Sequence, residues 1–302
     1  MLSLTLTLPL LWLAPIAPQV TDTVGAVESQ EAVEDLLARP VLLGASMSSG
    51  YGIPAVEPFA AILSETLKLE TPMPSIADML FFTMPMEMGS EHSDFAIDAD
   101  ATVVFAIDFL FWFGYGVRNV DSVEITSEDE RLELLEIGLE HLDQLDCLLV
   151  VGDFPNMTKS LGKMLGEKEM PEPETLVRLN ARVKEWAAER ENTLIIPLDH
   201  LVQSLNSEEA IDLGRFAIGA EAKSGLIQED ELHPTRTGIC LMAHMVALAL
   251  MDAGFVEDDH LELDMLKVLE SFDLDTTGIK PLEPNTEDPD AEDPDAEDPD
   301  KR

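Results

Sequence analysis

Val41-Leu42-Leu43-Gly44-Ala45-Ser46-Met47-Ser48-Ser49-Gly50-Tyr51-Gly52 is the stretch from which the rest of the chain is read. An apolar run, Val41 to Leu43, enters a turn of small residues, and Gly44 and Gly50 tolerate the backbone angles of a sharp exit. Ser46 therefore stands where the chain leaves a buried strand. In open α/β sheets that carboxyl edge is where ligands bind. Small residues are common in any tight turn, so the serine gains meaning only if the chain supplies a base, an orienting acid and oxyanion donors elsewhere.

Outward from this turn, apolar runs alternate with helical periodicities. A helix is expected from about Val56 to Leu67, with Phe59, Ile62, Leu63 and Leu67 on one face. A segment holding Met73, Met79, Met84, Met86 and Met88 is broken by Pro72, Pro74 and Pro85. Such methionines can line an apolar groove, but core filler is the preferred reading. Ala101 to Trp112 is the strongest strand candidate, and Thr102 to Ile107 within it is apolar throughout, as a strand covered on both faces requires, before Asp108. Ser127 and Glu130 form a capping box that opens a helix carrying Leu132, Leu135, Leu139 and Leu142. Cys147 to Val151 is a further buried strand, and Leu176, Leu179, Val183 and Trp186 mark a further helix. Thr193 to Ile196 is read as the last strand, and Thr237 to Ala253 as a long closing helix. This alternation argues for a parallel sheet covered on both faces.

The 302 residues divide into a targeting segment at 1–26, a main domain at 27–255, a short helical extension at 256–285 and an acidic repeat tail at 286–302. Leu2 to Leu13 is apolar but too short to span a bilayer, and Val24-Gly25-Ala26 suits cleavage, although no Lys or Arg precedes the run. A secreted or periplasmic protein, with no integral span after processing, is the expectation. The tail repeats Glu-Asp-Pro-Asp-Ala, a composition that cannot bury a core. Asp273 to Gly278 resembles the start of a calcium loop, but Pro284 falls where the loop needs a bidentate Glu. The formal net charge is −42, from 60 acidic residues against 18 Lys and Arg. That surface repels the phosphates of nucleic acid and of anionic membranes. With two cysteines, Cys147 and Cys240, a disulfide-dense scaffold is excluded. Two buried free thiols is the preferred reading, with one bridge open in an oxidising compartment. No metal-ligand cluster, phosphate-cradling loop or cofactor fingerprint is present, so no cofactor is expected. The oligomeric state stays open.

Far along the chain lies Asp230-Glu231-Leu232-His233-Pro234. An acid three residues before a histidine, in a loop pinned by proline, can hold one ring nitrogen and aim the other at a substrate. That is the base and orienter of a serine triad, which is recognised by geometry rather than chain order. Gly44-x-Ser46-x-x-x-Gly50 near one end and Asp230-x-x-His233-Pro234 near the other resemble the blocks of the SGNH or GDSL-type hydrolases, over about residues 40–253. Ala45 stands where that family usually has Asp. The rival Gly-x-Ser-x-Gly nucleophile elbow fits worse, since its second Gly would be Ser48.

The resemblance implies a three-layer α/β/α sandwich with a flavodoxin-like parallel sheet. It implies Ser46, Asp230 and His233 as catalytic residues, and an oxyanion hole made by the Ser46 N–H, a Gly N–H and an Asn side chain. Gly89 is the candidate for the Gly, beside the alternative of a simple turn glycine. No Asn follows the third strand, where Asp108 stands instead; Asp108 would donate only if protonated, and Asn119 and Asn156 are the nearest substitutes. The implied activity is hydrolysis of acyl esters, small or glycan-linked, through an acyl-enzyme, falling as His233 becomes protonated. The alternative, motivated by the missing Asn and by Ala45, is an inactive relative that binds an acyl, glycan or lipid ligand.

Overall fold

The computed structural model describes residues 33, 36–54, 58–118 and 122–282. The targeting segment, Val56, Asn119 and the acidic tail lie outside them. The first strand is β1 (Pro40–Gly44), whose five residues are all buried. It pairs with β2 (Ser75–Ala77) on one side and β3 (Val103–Ala106) on the other, followed by β4 (Leu148–Gly152) and β5 (Thr193–Ile196). All four pairings are parallel and the order is β2-β1-β3-β4-β5. This is the flavodoxin-like order, in which the chain reverses direction of winding beside β1 and β3.

Period-two alternation sends successive strand residues to opposite faces. Leu42, Phe105 and Val150 enter one core with Phe59, Ile62 and Leu63 of α1 (Pro58–Thr66) and Ala243, Val246 and Leu250 of a later apolar helix. Leu43, Val104 and Val151 enter the other. There they meet α2 (Pro85–Asp98), α3 (Phe111–Tyr115), α4 (Asp129–Leu142) and α5 (Pro173–Ala188). Helices on both faces make the three layers. After β5 come α6 (Leu198–Asn206), α7 (Ala220–Lys223) and α8 (Arg236–Asp252), the apolar helix of the first core. Among the described residues no helix is long and apolar enough to cross a membrane.

Several sequence expectations shift. The strand expected over Ala101 to Trp112 is paired over four residues only. Beyond Ala106 the backbone turns, with Phe109 N–H donating to Ala106 O and Phe111 N–H to Asp108 O. The capping box forms by half: Glu130 accepts from the N–H groups of Thr126 and Ser127, and the helix begins at Asp129. β5 is not the last strand, because β6 (Ile211–Asp212), β7 (Phe216–Ile218) and β8 (Ile279–Pro281) form a small antiparallel sheet. The stretch read as a short helical extension, 256–285, packs against the main domain over its described residues. Met265, Val268 and Leu269 of α9 (Met265–Ser271) enter the first core, and β8 pairs with β7.

Cys147 and Cys240 are free and buried in the cores on opposite faces of the sheet. Burial pushes their thiols up to about 11 and about 12. Met73 is core filler, but Met79 and Met84 are exposed. At the loop that resembled a calcium site, Asp275 accepts from the Thr277 N–H and hydroxyl, an ordinary Asx turn.

Candidate active site

The turn after β1 is held from behind by a carboxylate. Asp108, two residues past the end of β3, is buried, and its Oδ1 accepts from the Ala45 N–H at 3.0 Å and the Ser48 hydroxyl at 2.6 Å. Its Oδ2 accepts from the N–H groups of Met47 at 3.0 Å and Ser48 at 3.2 Å. Burial pushes the Asp108 carboxyl above its ordinary range, against the pull of those bonds. A Cβ at Gly44 would collide with Asp108 Oδ1 and with Ser48, which is why glycine precedes the turn. The turn closes on itself through Ser49 N–H to Ala45 O and Tyr51 N–H to Ser46 O. Ser46 is thereby presented outward on a backbone fixed on both sides.

The second element is the loop before α8. Asp230 Oδ1 accepts from the N–H groups of Leu232 at 2.9 Å and His233 at 3.0 Å, while Glu231 takes a left-handed φ of 58° to make the turn. Asp230 Oδ2 lies 2.7 Å from His233 Nδ1, and His233 Nε2 lies 2.8 Å from Ser46 Oγ. Burial raises the Asp230 carboxyl, but the His233 and Leu232 N–H bonds and the His233 ring outweigh it and hold it below its ordinary range. An ionised carboxylate can only accept, so it places the imidazole proton on Nδ1 and leaves Nε2 free to take the Ser46 proton.

Two residues without a motif of their own complete this arrangement. Tyr51 stacks on the His233 ring, with centroids 4.3 Å apart. Gln228 Nε2 donates to Tyr51 O at 2.7 Å and to Pro234 O at 2.9 Å, tying the serine turn to the histidine loop. Gly52, at φ 71°, leaves the space that Gln228 Oε1 occupies. Sequence reasoning had no periodicity or spacing by which to find either side chain.

Ser46 and His233 stand on a cleft of about 840 Å³, counting its open mouth. Its wall is apolar, with Phe111, Trp112, Leu198, Leu201, Leu226 and Met242. Asp153 also lines it and accepts from the Asp199 N–H at the start of α6; burial raises this carboxyl too.

The oxyanion candidates fare unevenly. Among the described residues the Ser46 N–H has no hydrogen-bond partner, whereas its neighbours all donate to Asp108. Gly89 does not belong to the site. It is buried inside α2, where an added Cβ would meet His141 and Phe113, so its glycine serves helix packing. Asn156 accepts from the Thr158 N–H in an exposed loop, and no Asn among the described residues lines the cleft. Among the described residues no group of acidic, His or Cys side chains could hold a metal ion.

No family model matches the chain, and no curated protein matches it. Solved structures do, at low identity. A gut microbial diltiazem-metabolizing enzyme is 15% identical, with a TM-score of 0.46 over 70% of this chain, which spans only 46% of that one. A putative lipolytic protein of the G-D-S-L family from Desulfitobacterium hafniense DCB-2 is 14% identical, with a TM-score of 0.43 over 70% of this chain and 99% of that one. A psychrotrophic esterase from Pseudoalteromonas sp. is 9% identical, with a TM-score of 0.44 over 71% and 97%. Likenesses this distant are similarity alone.

Proposed function

We propose that the chain is a serine ester hydrolase of SGNH type that works through an acyl-enzyme. The observation that supports this reading most is the unbroken relay from Asp230 through His233 to Ser46, with links of 2.7 and 2.8 Å, at the head of an apolar cleft. His233 Nε2 accepts the Ser46 proton as Oγ attacks the ester carbonyl, and Asp230 stabilises the imidazolium that forms. Collapse of the tetrahedral intermediate breaks the C–O bond to the alcohol, which leaves with the proton held on Nε2. Water then attacks the acyl-enzyme, deprotonated by the same nitrogen, and the acid departs. The free Ser46 N–H is the donor for the oxyanion. The apolar wall suits the acyl part of a small-molecule or glycan-linked ester, and the segment at 1–26 suits a secreted or periplasmic enzyme.

A second reading, an inactive binder of an acyl, glycan or lipid ligand, is favoured by one observation. Asp108 occupies the place of an oxyanion Asn and faces the turn instead. Loss of one such donor lowers rates by roughly a hundred- to a thousandfold. A fluorophosphonate probe separates the two. Covalent labelling of the wild type at Ser46, lost in Ser46→Ala together with hydrolysis of a short acyl ester, is expected. Absence of labelling in folded wild-type protein would leave the binder.

A further inference from the structure

Ten large apolar side chains are exposed among the described residues, and four of them fall within Met79–Met84. Met79, Leu80, Phe82 and Met84 are 49%, 56%, 49% and 48% exposed, while Phe81 between them is fully buried. We infer that this segment is an apolar lip that docks the protein on the surface of a neutral ester aggregate, such as a micelle or a lipid layer, and so delivers substrate to the cleft. The inference rests on the ester-hydrolase reading and names the physical state of its substrate.

The lip is built onto the site. Asp78 N–H donates to Gly44 O at 3.2 Å, placing the segment's start beside the nucleophile turn. Phe82 packs on the Trp112 ring, with centroids 5.5 Å apart, and Trp112 lines the cleft. The exposed apolar surface therefore runs on into the apolar wall below Ser46. The lip is also held in place. Phe81 packs on Phe109 and Phe113, and Leu80 N–H is fixed by Asp78 Oδ1 at 2.6 Å. Exposed apolar surface presented on an anchored turn, next to a reaction cleft, marks an interaction site rather than a packing remainder.

Charge selects the occupant. No Lys or Arg lies between Lys68 and Arg118 in the sequence, and Asp78 and Glu87 flank the lip along the chain. Anionic lipid and acidic protein surfaces are repelled by such a rim. A second copy of the chain would set two molecules of charge −42 face to face. A neutral ester surface carries no such penalty, and it offers the chemistry that the cleft takes.

Full-length Ser46→Ala protein, which binds without turning substrate over, is mixed with phosphatidylcholine vesicles and co-sedimented. Adsorption is expected, weakened when phosphatidylglycerol is included. Met79→Gln with Leu80→Gln should lower the partition coefficient about tenfold or more, as two apolar side chains leave the interface. An unchanged thermal midpoint checks the fold; a single Leu80→Gln, at a mostly exposed side chain, repeats the measurement with less disturbance. Equal partitioning of the parent and the variants overturns the inference, as does a dimer in solution that the substitutions dissociate. Adsorption alongside failed fluorophosphonate labelling of the wild type would remove the hydrolase and leave the lip as a docking surface, whereas labelling of the wild type without adsorption would remove the lip alone.

Discussion

Asp108 is the residue at which the chain departs most from the active site its motifs suggest. The block that usually carries an oxyanion Asn carries a carboxylate, and the structure gives it a different task. Both of its oxygens are spent on the backbone and hydroxyl of the Ser46 turn. Placing an Asn here should therefore harm the protein. In Asp108→Asn, the amide NH2 would face a backbone N–H in either orientation, that of Ala45 or those of Met47 and Ser48, donor against donor in a buried position. Each buried N–H left unpaired costs about 1–3 kcal/mol. The substitution is expected to lower unfolding stability by ~2–4 kcal/mol and to give no gain in ester turnover; a denaturant titration and an ester assay read both. A rise in turnover at unchanged stability would contradict this role. Ser46, Asp230 and His233 were legible in the sequence because short motifs fix their local geometry. Asp108 was visible but its partners were not, because its bonds reach across about 60 residues of chain. Gly89 misled for the same reason, since a glycine that lets a helix approach His141 reads like one in a turn.

At the scale of elements, the site is two loops from opposite ends of the chain brought to one edge of the sheet. Gln228 joins them through the carbonyls of Tyr51 and Pro234, and Tyr51 in turn stacks on the His233 ring. Losing that link frees the imidazole to drift from Ser46, while the cleft wall is left intact. Gln228→Ala should thus lower kcat about tenfold or more with KM nearly unchanged, and slow fluorophosphonate labelling in parallel, because positioning errors of this kind act on the reacting atoms. Gln228→Glu should not restore it, since a carboxylate cannot donate to two carbonyl oxygens. A rise in KM alone would assign Gln228 to substrate binding instead. Strand β2, three half-buried residues in a stretch broken by prolines, was missed, whereas β1, β3, β4 and β5 were legible because doubly covered strands are continuous apolar runs. The small sheet of β6, β7 and β8 was not, since strands of two or three residues carry no period. Strand β3 was overread for the converse reason: Phe109 and Trp112 are as apolar as a strand, but they pack as a turn and short helix on one face.

The whole molecule sets strong acidity against a few buried bases. Burial lowers His92 and His244 to about 4, so both rings are neutral in the folded protein. Neither ring nitrogen of His244 has a hydrogen-bond partner among the described residues, and its ring meets Phe216 edge-on. On unfolding each ring returns to water, where imidazole titrates near ~6.5. Between pH ~6.5 and ~4 the unfolded chain therefore binds more protons than the folded one, and stability falls as pH drops through that window. Ordinary carboxylates titrate near ~4, and the raised Asp108 and Asp153 carboxyls act in the opposite sense, so the share of one histidine is read from the difference between parent and variant. The loss at pH 5 amounts to at most ~2 kcal/mol per ring. His244→Phe removes one titrating ring and two unpaired nitrogens from an apolar surrounding. It should raise the denaturant midpoint at pH 7 and shallow the decline between pH 7 and pH 5. Added salt should raise the midpoints of parent and variant alike, because it screens the repulsion of a chain at −42 without reaching a buried imidazole. The two levers are separable for that reason, and a variant whose pH decline matched the parent's would show that His244 does not carry its share of the acid sensitivity.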